Sequence, residues 1–85
     1  MDIRQLKYFL AIAEEGNITK ASERLFMAQP PLSRQLKLME NELGVTLFDR
    51  TNKKNILLTP QGRVFLKNAR KILYNIDEAI TEVQE

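Results

Sequence analysis

The chain contains no cysteine and no histidine. Without thiols there is neither a disulfide framework nor a thiolate site, a usage that fits a cytoplasmic protein. Without imidazole, the commonest zinc ligand and the commonest general base are both missing. The remaining carboxylates are scattered along the chain and imply neither a pocket nor a metal site, so no enzyme is expected. Long apolar runs are absent too. The opening stretch MDIRQLKYFLAIAEE is broken by charge every few positions, which excludes a secretory signal and a membrane span. Internal repeats and low-complexity tracts are likewise missing. With 85 residues there is room for one small domain with a thin core, burying roughly 60% of its unfolded surface. These features read as a soluble, cytoplasmic protein.

Net charge is only +2, but its distribution is uneven. From Arg50 to Lys71 the chain carries Arg50, Lys53, Lys54, Arg63, Lys67, Arg70 and Lys71 and no acid; from Asp77 to Glu85 it carries Asp77, Glu78, Glu82 and Glu85 and no base. Salt screens charge over roughly 8 Å, and a helix rises about 1.5 Å per residue, so the acidic end cannot cancel the field near Arg63. A positive surface that attracts phosphates is the consequence.

The segment Ala28–Leu43, AQPPLSRQLKLMENEL, organises the rest. Pro30 and Pro31 fit only the first turn of a helix, where an amide hydrogen would go unused. Leu32, Leu36, Met39 and Leu43 follow at spacings that form an apolar seam. At roughly 100° per residue, Pro30, Arg34, Lys37 and Asn41 fall on the opposite side, with Gln29 and Ser33 flanking them. Such a helix, held by leucines and presenting Gln, Ser, Arg and Lys outward, suits a DNA major groove. The competing reading is a solvated amphipathic helix.

Neighbouring segments favour the DNA reading. Asp2 and Gln5 form a capping-box pair ahead of a helix marked by Ile3, Leu6, Phe9, Leu10 and Ala13 and ended by Gly16. Asn17 caps a short helix with Ile18, Ala21 and Leu25 on its apolar stripe. A turn of Phe26, Met27 and Ala28 leads into the proline-started helix, the arrangement of a helix-turn-helix. Gly44 ends that helix. The apolar runs Val45–Phe48 and Ile56–Leu58 then flank a polar, basic tip, which predicts a small hairpin or wing; the alternative is a surface loop.

Thr59 and Pro60 open a final helix. Phe65, Ala69, Ile72, Ile76, Ala79 and Val83 repeat at alternating spacings of four and three, and Leu66, Leu73 and Ile80 run beside them. A helix of about 39 Å outruns what so small a domain can cover, so its distal half is expected to pair with a second copy of the chain. The alternatives are fraying or packing on another part of a longer chain. No C-cap closes the pattern, which reads as a piece of a longer protein. The expected architecture is mainly α: a winged helix-turn-helix over residues 1–58, with three helices and a two-stranded wing, and a dimerising linker helix over residues 59–85.

In this order, LKYFLAIAEEGNITKASERLFMAQPPLSRQLKLMENELGVTLFDR, a basic wing and LTPQG resemble the N-terminal DNA-binding domain of LysR-type transcriptional regulators over nearly the whole chain. The resemblance implies a dimer with antiparallel linker helices that sets two recognition helices on pseudo-palindromic double-stranded operator DNA, and a tetramer in the full-length protein. It also implies a separate C-terminal domain that binds a small-molecule effector; no cofactor is expected in this segment. Gln29, Pro30, Ser33 and Arg34 match the family's base-contacting positions, and Lys37 continues that face. Thr19, Ala28 and Leu32 lie near backbone-contacting positions, with Arg50 and Lys53 in the wing region; Lys54, beside them in the basic tip, is placed with them by the wing reading. Lys53 stands where many members carry Arg, and Pro31 where small residues are commoner.

For Arg34 the favoured role is a bidentate contact to guanine, the alternative a phosphate contact. Ser33 and Gln29 serve equally well as DNA partners or as local hydrogen-bonders. A purely structural dimerisation module would use the same long helix, but it would not need Gln, Ser, Arg and Lys grouped opposite the leucines.

Overall fold

A computed structural model describes residues 1–52 and 54–85. Helix α1 spans Ile3–Glu15. The Asp2 carboxylate accepts from the Gln5 amide at 2.7 Å, and the Gln5 side chain accepts from the Asp2 amide at 3.3 Å, so the expected capping box forms. Gly16, at φ 67°, ends the helix in the left-handed conformation that glycine adopts without strain. Asn17 caps α2, Ile18–Arg24. The far end of α2 closes with the Phe26 amide donating to Glu23 and the Met27 amide to Ser22, at 3.2 and 3.0 Å. This is a Schellman closure with Phe26 at φ 55° in the place glycine usually takes.

Helix α3, Gln29–Leu43, starts from Ala28 with the two prolines in its first turn and ends at Gly44, φ 70°. The wing is minimal: β1, Phe48–Asp49, pairs antiparallel with β2, Leu57–Leu58. It is shorter than the apolar runs suggest because other partners take the backbone just before it. The amides of Leu47 and Phe48 donate to the Glu40 carboxylate, and the Leu47 carbonyl accepts from the Thr59 amide. Helix α4 then runs Pro60–Gln84, with Thr59 Oγ1 accepting from the Gly62 amide at 2.9 Å.

The core is organised about α1, which packs against each of the other helices. Phe9 sits at its centre, 5.2 Å from the Phe48 ring and 4.8 Å, edge-on, from the Phe65 ring. One side chain thus joins the first helix, the wing and the last helix. Leu6, Ala11, Ile12, Ala21, Leu32, Leu36, Met39, Leu47, Ile56 and Ala69 complete the buried apolar set. A fully buried leucine or phenylalanine contributes about 1.5–3 kcal/mol, so a core this small depends on each of them. At the surface, Glu14 bridges Arg24 of α2 and Arg70 of α4 at 2.9 and 3.2 Å. Burial works to raise its carboxyl pKa, but hydrogen bonds and charge from the two arginines outweigh it and hold the group below its ordinary value.

Four expectations need correction. Leu32 is completely buried; it belongs to the clamp beneath α3 and has no surface to offer a DNA backbone. Leu43 is 39% exposed, so the seam of α3 effectively ends at Met39, one turn before Gly44. Ala69 is fully enclosed by its own chain, so it serves the core and not a seam between copies, and Phe65, half-buried, is engaged first by Phe9 of that core. Leu66 and Leu73 are half-buried against the same core. Beyond them the apolar stripe of α4 emerges into solvent: Ile72, Ile80 and Val83 are 44%, 50% and 83% exposed.

Gly62 is a constraint that sequence pattern did not expose. A Cβ there would collide with the Leu47 carbonyl oxygen and press on Leu58, because α4 starts directly against the approach to β1. Helix propensity favours alanine over glycine by about 1 kcal/mol, yet overpacking costs about 1–3 kcal/mol, and backbone cannot rotate away as a side chain does. Gly62→Ala is therefore expected to lower the thermal midpoint by several degrees, read by circular dichroism at matched protein concentration. An unchanged or raised midpoint would show that the junction has slack.

Candidate nucleic-acid interface

Burial of Leu32, Leu36 and Met39 on one side of α3 fixes what the other side presents. Gln29, Pro30, Ser33, Arg34, Lys37 and Asn41 are all exposed, as is Ala28 before them. Among the described residues neither Arg34 nor Lys37 is paired with an acid, so both cations are free to meet an external acceptor. The start of α3 is poor in backbone donors: Pro30 and Pro31 have no amide hydrogen, and Ala28 makes no side-chain cap. What this end can offer an external partner therefore comes from side chains more than from the helix terminus.

Gln29 is already oriented. Its Nε2 donates to Thr19 Oγ1 at 3.0 Å, which joins the beginnings of α2 and α3 and leaves the Gln29 amide oxygen available as an acceptor. Arg50 is held in a similar way from the wing side, with its guanidinium 3.0 Å from Glu40 Oε1. Its side chain remains about half exposed, so the tether sets its direction without consuming its donors. Lys54 is exposed on the return limb. Lys53, expected at the wing tip, lies outside the described residues. The outgoing limb is shaped by Asp49, whose carboxylate accepts from the Thr51 amide at 2.9 Å. Hydrogen bonding to the Thr51 backbone, and then to its side chain, keeps the Asp49 carboxyl below its ordinary pKa.

These parts meet around one open recess of about 240 Å³, lined by Asn17, Thr19 and Gln29 on the helix side and Arg50, Asn52 and Lys54 on the wing side. It is too open and too polar to be a small-molecule pocket of the usual apolar kind. It matches a surface that takes in a charged backbone running across it. Among the described residues no group of His, Cys, Asp or Glu could hold a metal ion, and no helix is long and apolar enough to cross a membrane.

Comparison with known proteins agrees with this geometry. The sequence family of bacterial regulatory helix-turn-helix proteins of the lysR family matches residues 3–63. The chain belongs to the LysR family. It is 61% identical over 85 residues to the HTH-type transcriptional regulator BsdA of Bacillus subtilis, covering all of this chain and 29% of that protein. It is 50% identical over 74 residues to ClcR of Pseudomonas putida, covering 87% of this chain and 25% of ClcR. The chain thus spans under a third of these LysR relatives. Among solved structures, the BenM DNA-binding domain in complex with benA site 1 DNA superposes with a TM-score of 0.95 at 42% identity, covering 99% of this chain and 93% of that one. The CbnR DNA-binding domain bound to DNA gives 0.93 at 43% identity, over 99% and 95% of the two chains. This is a DNA-binding domain of LysR type and not an enzyme.

One residue that shapes the LysR interface went unremarked in the sequence. Glu40 looks like any exposed acid late in an amphipathic helix, but its side chain is only 10% exposed. It accepts from the Leu47 amide at 2.7 Å, the Phe48 amide at 3.3 Å and Arg50 at 3.0 Å. The only sequence signal was an acid placed shortly before an apolar run and an arginine, a pattern too common to single it out. Glu40→Ala strands two buried amides and frees Arg50; at about 1–3 kcal/mol for a buried group left unsatisfied, a clear loss of thermal stability is expected. Glu40→Gln, which can still accept from the amides but carries no charge, should lose less. Equal losses for the two variants would mean that the charge, not the amide pairing, is the dominant contribution.

Proposed function

We propose that this domain reads double-stranded operator DNA as a homodimer and serves as the DNA-binding part of a longer transcriptional regulator. The observation that carries the reading is the exposed row Gln29, Ser33, Arg34 and Lys37 on α3, whose first member shares the recess with Arg50 and Lys54 of the wing. In this reading α3 enters the major groove, where Arg34 pairs with guanine and Ser33 and Gln29 reach base edges or phosphates. Pro30 and Lys37 border the groove; Thr19 and Ala28 lie along the backbone; the wing, with Arg50, Lys53 and Lys54, approaches the minor groove. The DNA complexes formed by the BenM and CbnR domains support it.

The dimer follows from α4. Its outer half carries Ile72, Leu73, Ile76, Ala79, Ile80 and Val83, and among the described residues nothing covers the end of that stripe. A second copy, laid antiparallel, buries both stripes at once and holds two recognition helices on a pseudo-palindromic site. Residues 1–58 then act as the reading head and residues 59–85 as the link, with Phe65 and Ala69 anchoring the link to the head. The names of the relatives, HTH-type transcriptional regulators, and their greater length support a DNA-binding part of a longer regulator; in this reading that regulator is cytoplasmic, and a further domain binds a small-molecule effector and adds contacts toward a tetramer.

Two variants test the separate parts. Arg34→Ala is expected to remove about 1–3 kcal/mol of discrimination at one base pair, measured as flattened preference among duplexes recovered by selection from genomic DNA. A loss of affinity equal for every sequence would assign Arg34 to phosphate. Ile76→Glu places a charge at a half-buried position of the stripe and is expected to yield folded monomers by light scattering that bind a palindromic duplex at least tenfold more weakly. Dimers of unchanged stability would move the interface elsewhere.

A further inference from the structure

Asn17 holds two elements at once. Its Oδ1 accepts from the Lys20 amide at 2.9 Å and caps α2, while its Nδ2 donates to the carbonyl of Lys54 at 3.1 Å. Close by, the Ile56 amide donates to the Gly16 carbonyl at 2.9 Å. The return limb of the wing is therefore fastened to the junction of α1 and α2 by two hydrogen bonds, and the outgoing limb is fastened to α3 through Glu40.

Capping alone does not account for asparagine. A cap needs one acceptor, which serine supplies about as well. The contact to Lys54 needs a donor at the end of a longer side chain, which the carboxamide has and a serine hydroxyl, already turned toward the helix, lacks. The second bond crosses beside the recess, whose helix wall contains Thr19 and Gln29 and whose wing wall contains Arg50 and Lys54. Its length sets how far the wing cations stand from the start of the recognition helix.

We infer that Asn17 is a positioning residue for specificity: by pinning the wing at Lys54, it fixes the wing's approach and so selects the sequence flanking each half-site, separately from the bases met by α3. The inference rests on the DNA-reading function above. A wing held at one distance accepts only those flanks whose groove width matches it, because width depends on sequence. A wing on a loose hinge adjusts to any flank and adds charge alone.

Asn17→Ser separates the two roles, since it keeps an acceptor for the Lys20 amide and removes the donor to Lys54. Its thermal midpoint is expected to stay within about 2 °C of wild type, as for interchange of two good caps, whereas Asn17→Ala, which loses both bonds, falls further. Amide hydrogen exchange of the free protein should show Ile56 exchanging about tenfold or more faster in Asn17→Ser. Selection from a duplex library randomised in both regions should recover the same central bases as wild type, with the flank preference reduced at least fivefold. Unchanged exchange at Ile56, or faster exchange with the flank preference intact, overturns the inference, as does a wild type with a central preference and none at the flanks. A wild type that prefers no duplex over random DNA would instead overturn the DNA reading beneath it, while the exchange data still decide whether Asn17 holds the wing.

Discussion

The burial of Leu32, Leu36 and Met39 beneath α3 is the constraint on which the rest depends. Three apolar side chains at helical spacing give the helix one stable orientation, because turning it would expose them and bury Arg34 or Lys37 without a partner, a far larger cost. Once that orientation is set, the polar face is determined without further instruction. The prolines reinforce it at the start, where they suit a first turn and no later position, and Gly44 stops it before the wing. Function here is the outer surface of a packing solution.

Around that clamp, the smaller parts act as fasteners that give a thin core a definite shape. Phe9 brings Phe48 and Phe65 together, so the wing and the long helix share one aromatic contact with α1. Glu40 draws the outgoing limb of the wing to α3, Asn17 and Gly16 draw the return limb to α2, and Thr59 binds the carbonyl of Thr46 at 2.6 Å through its hydroxyl. A two-residue ladder could not hold a wing in place by itself. Bonds from the helices do so instead, and they couple the position of the wing to that of α3.

What could be read from the sequence was whatever is encoded within a few neighbouring residues. Asp2 with Gln5, Asn17, Gly16, Gly44, Thr59 with Pro60, and the proline pair mark every helix start and the ends of α1 and α3 by local chemistry, and those limits follow them closely. Apolar periodicity identified the inner face of α3 correctly as far as Met39. It could not say which partner covers a stripe: Phe65 and Ala69 belong to the same periodic line as Ile76 and Val83, yet the first two meet their own core and the last is open. Nor could spacing reveal Glu40, whose three bonds join residues made neighbours only by the fold, or Gly62, whose need for a bare Cα comes from a carbonyl fifteen residues earlier in the chain. Phe26 shows the opposite case, a tertiary demand for a left-handed residue met against local preference at about 1–2 kcal/mol.

Hydroxyl-radical footprinting of the domain, free and bound to a duplex recovered by genomic selection, tests the orientation of α3 most directly. The clamp predicts that DNA protects Pro30, Arg34 and Lys37 from labelling together with Arg50 and Lys54, while Leu36 and Met39 stay unlabelled in both states. Labelling of Met39 in the free protein, or an α3 outer face labelled equally with and without DNA while protection appears on α1, would contradict it.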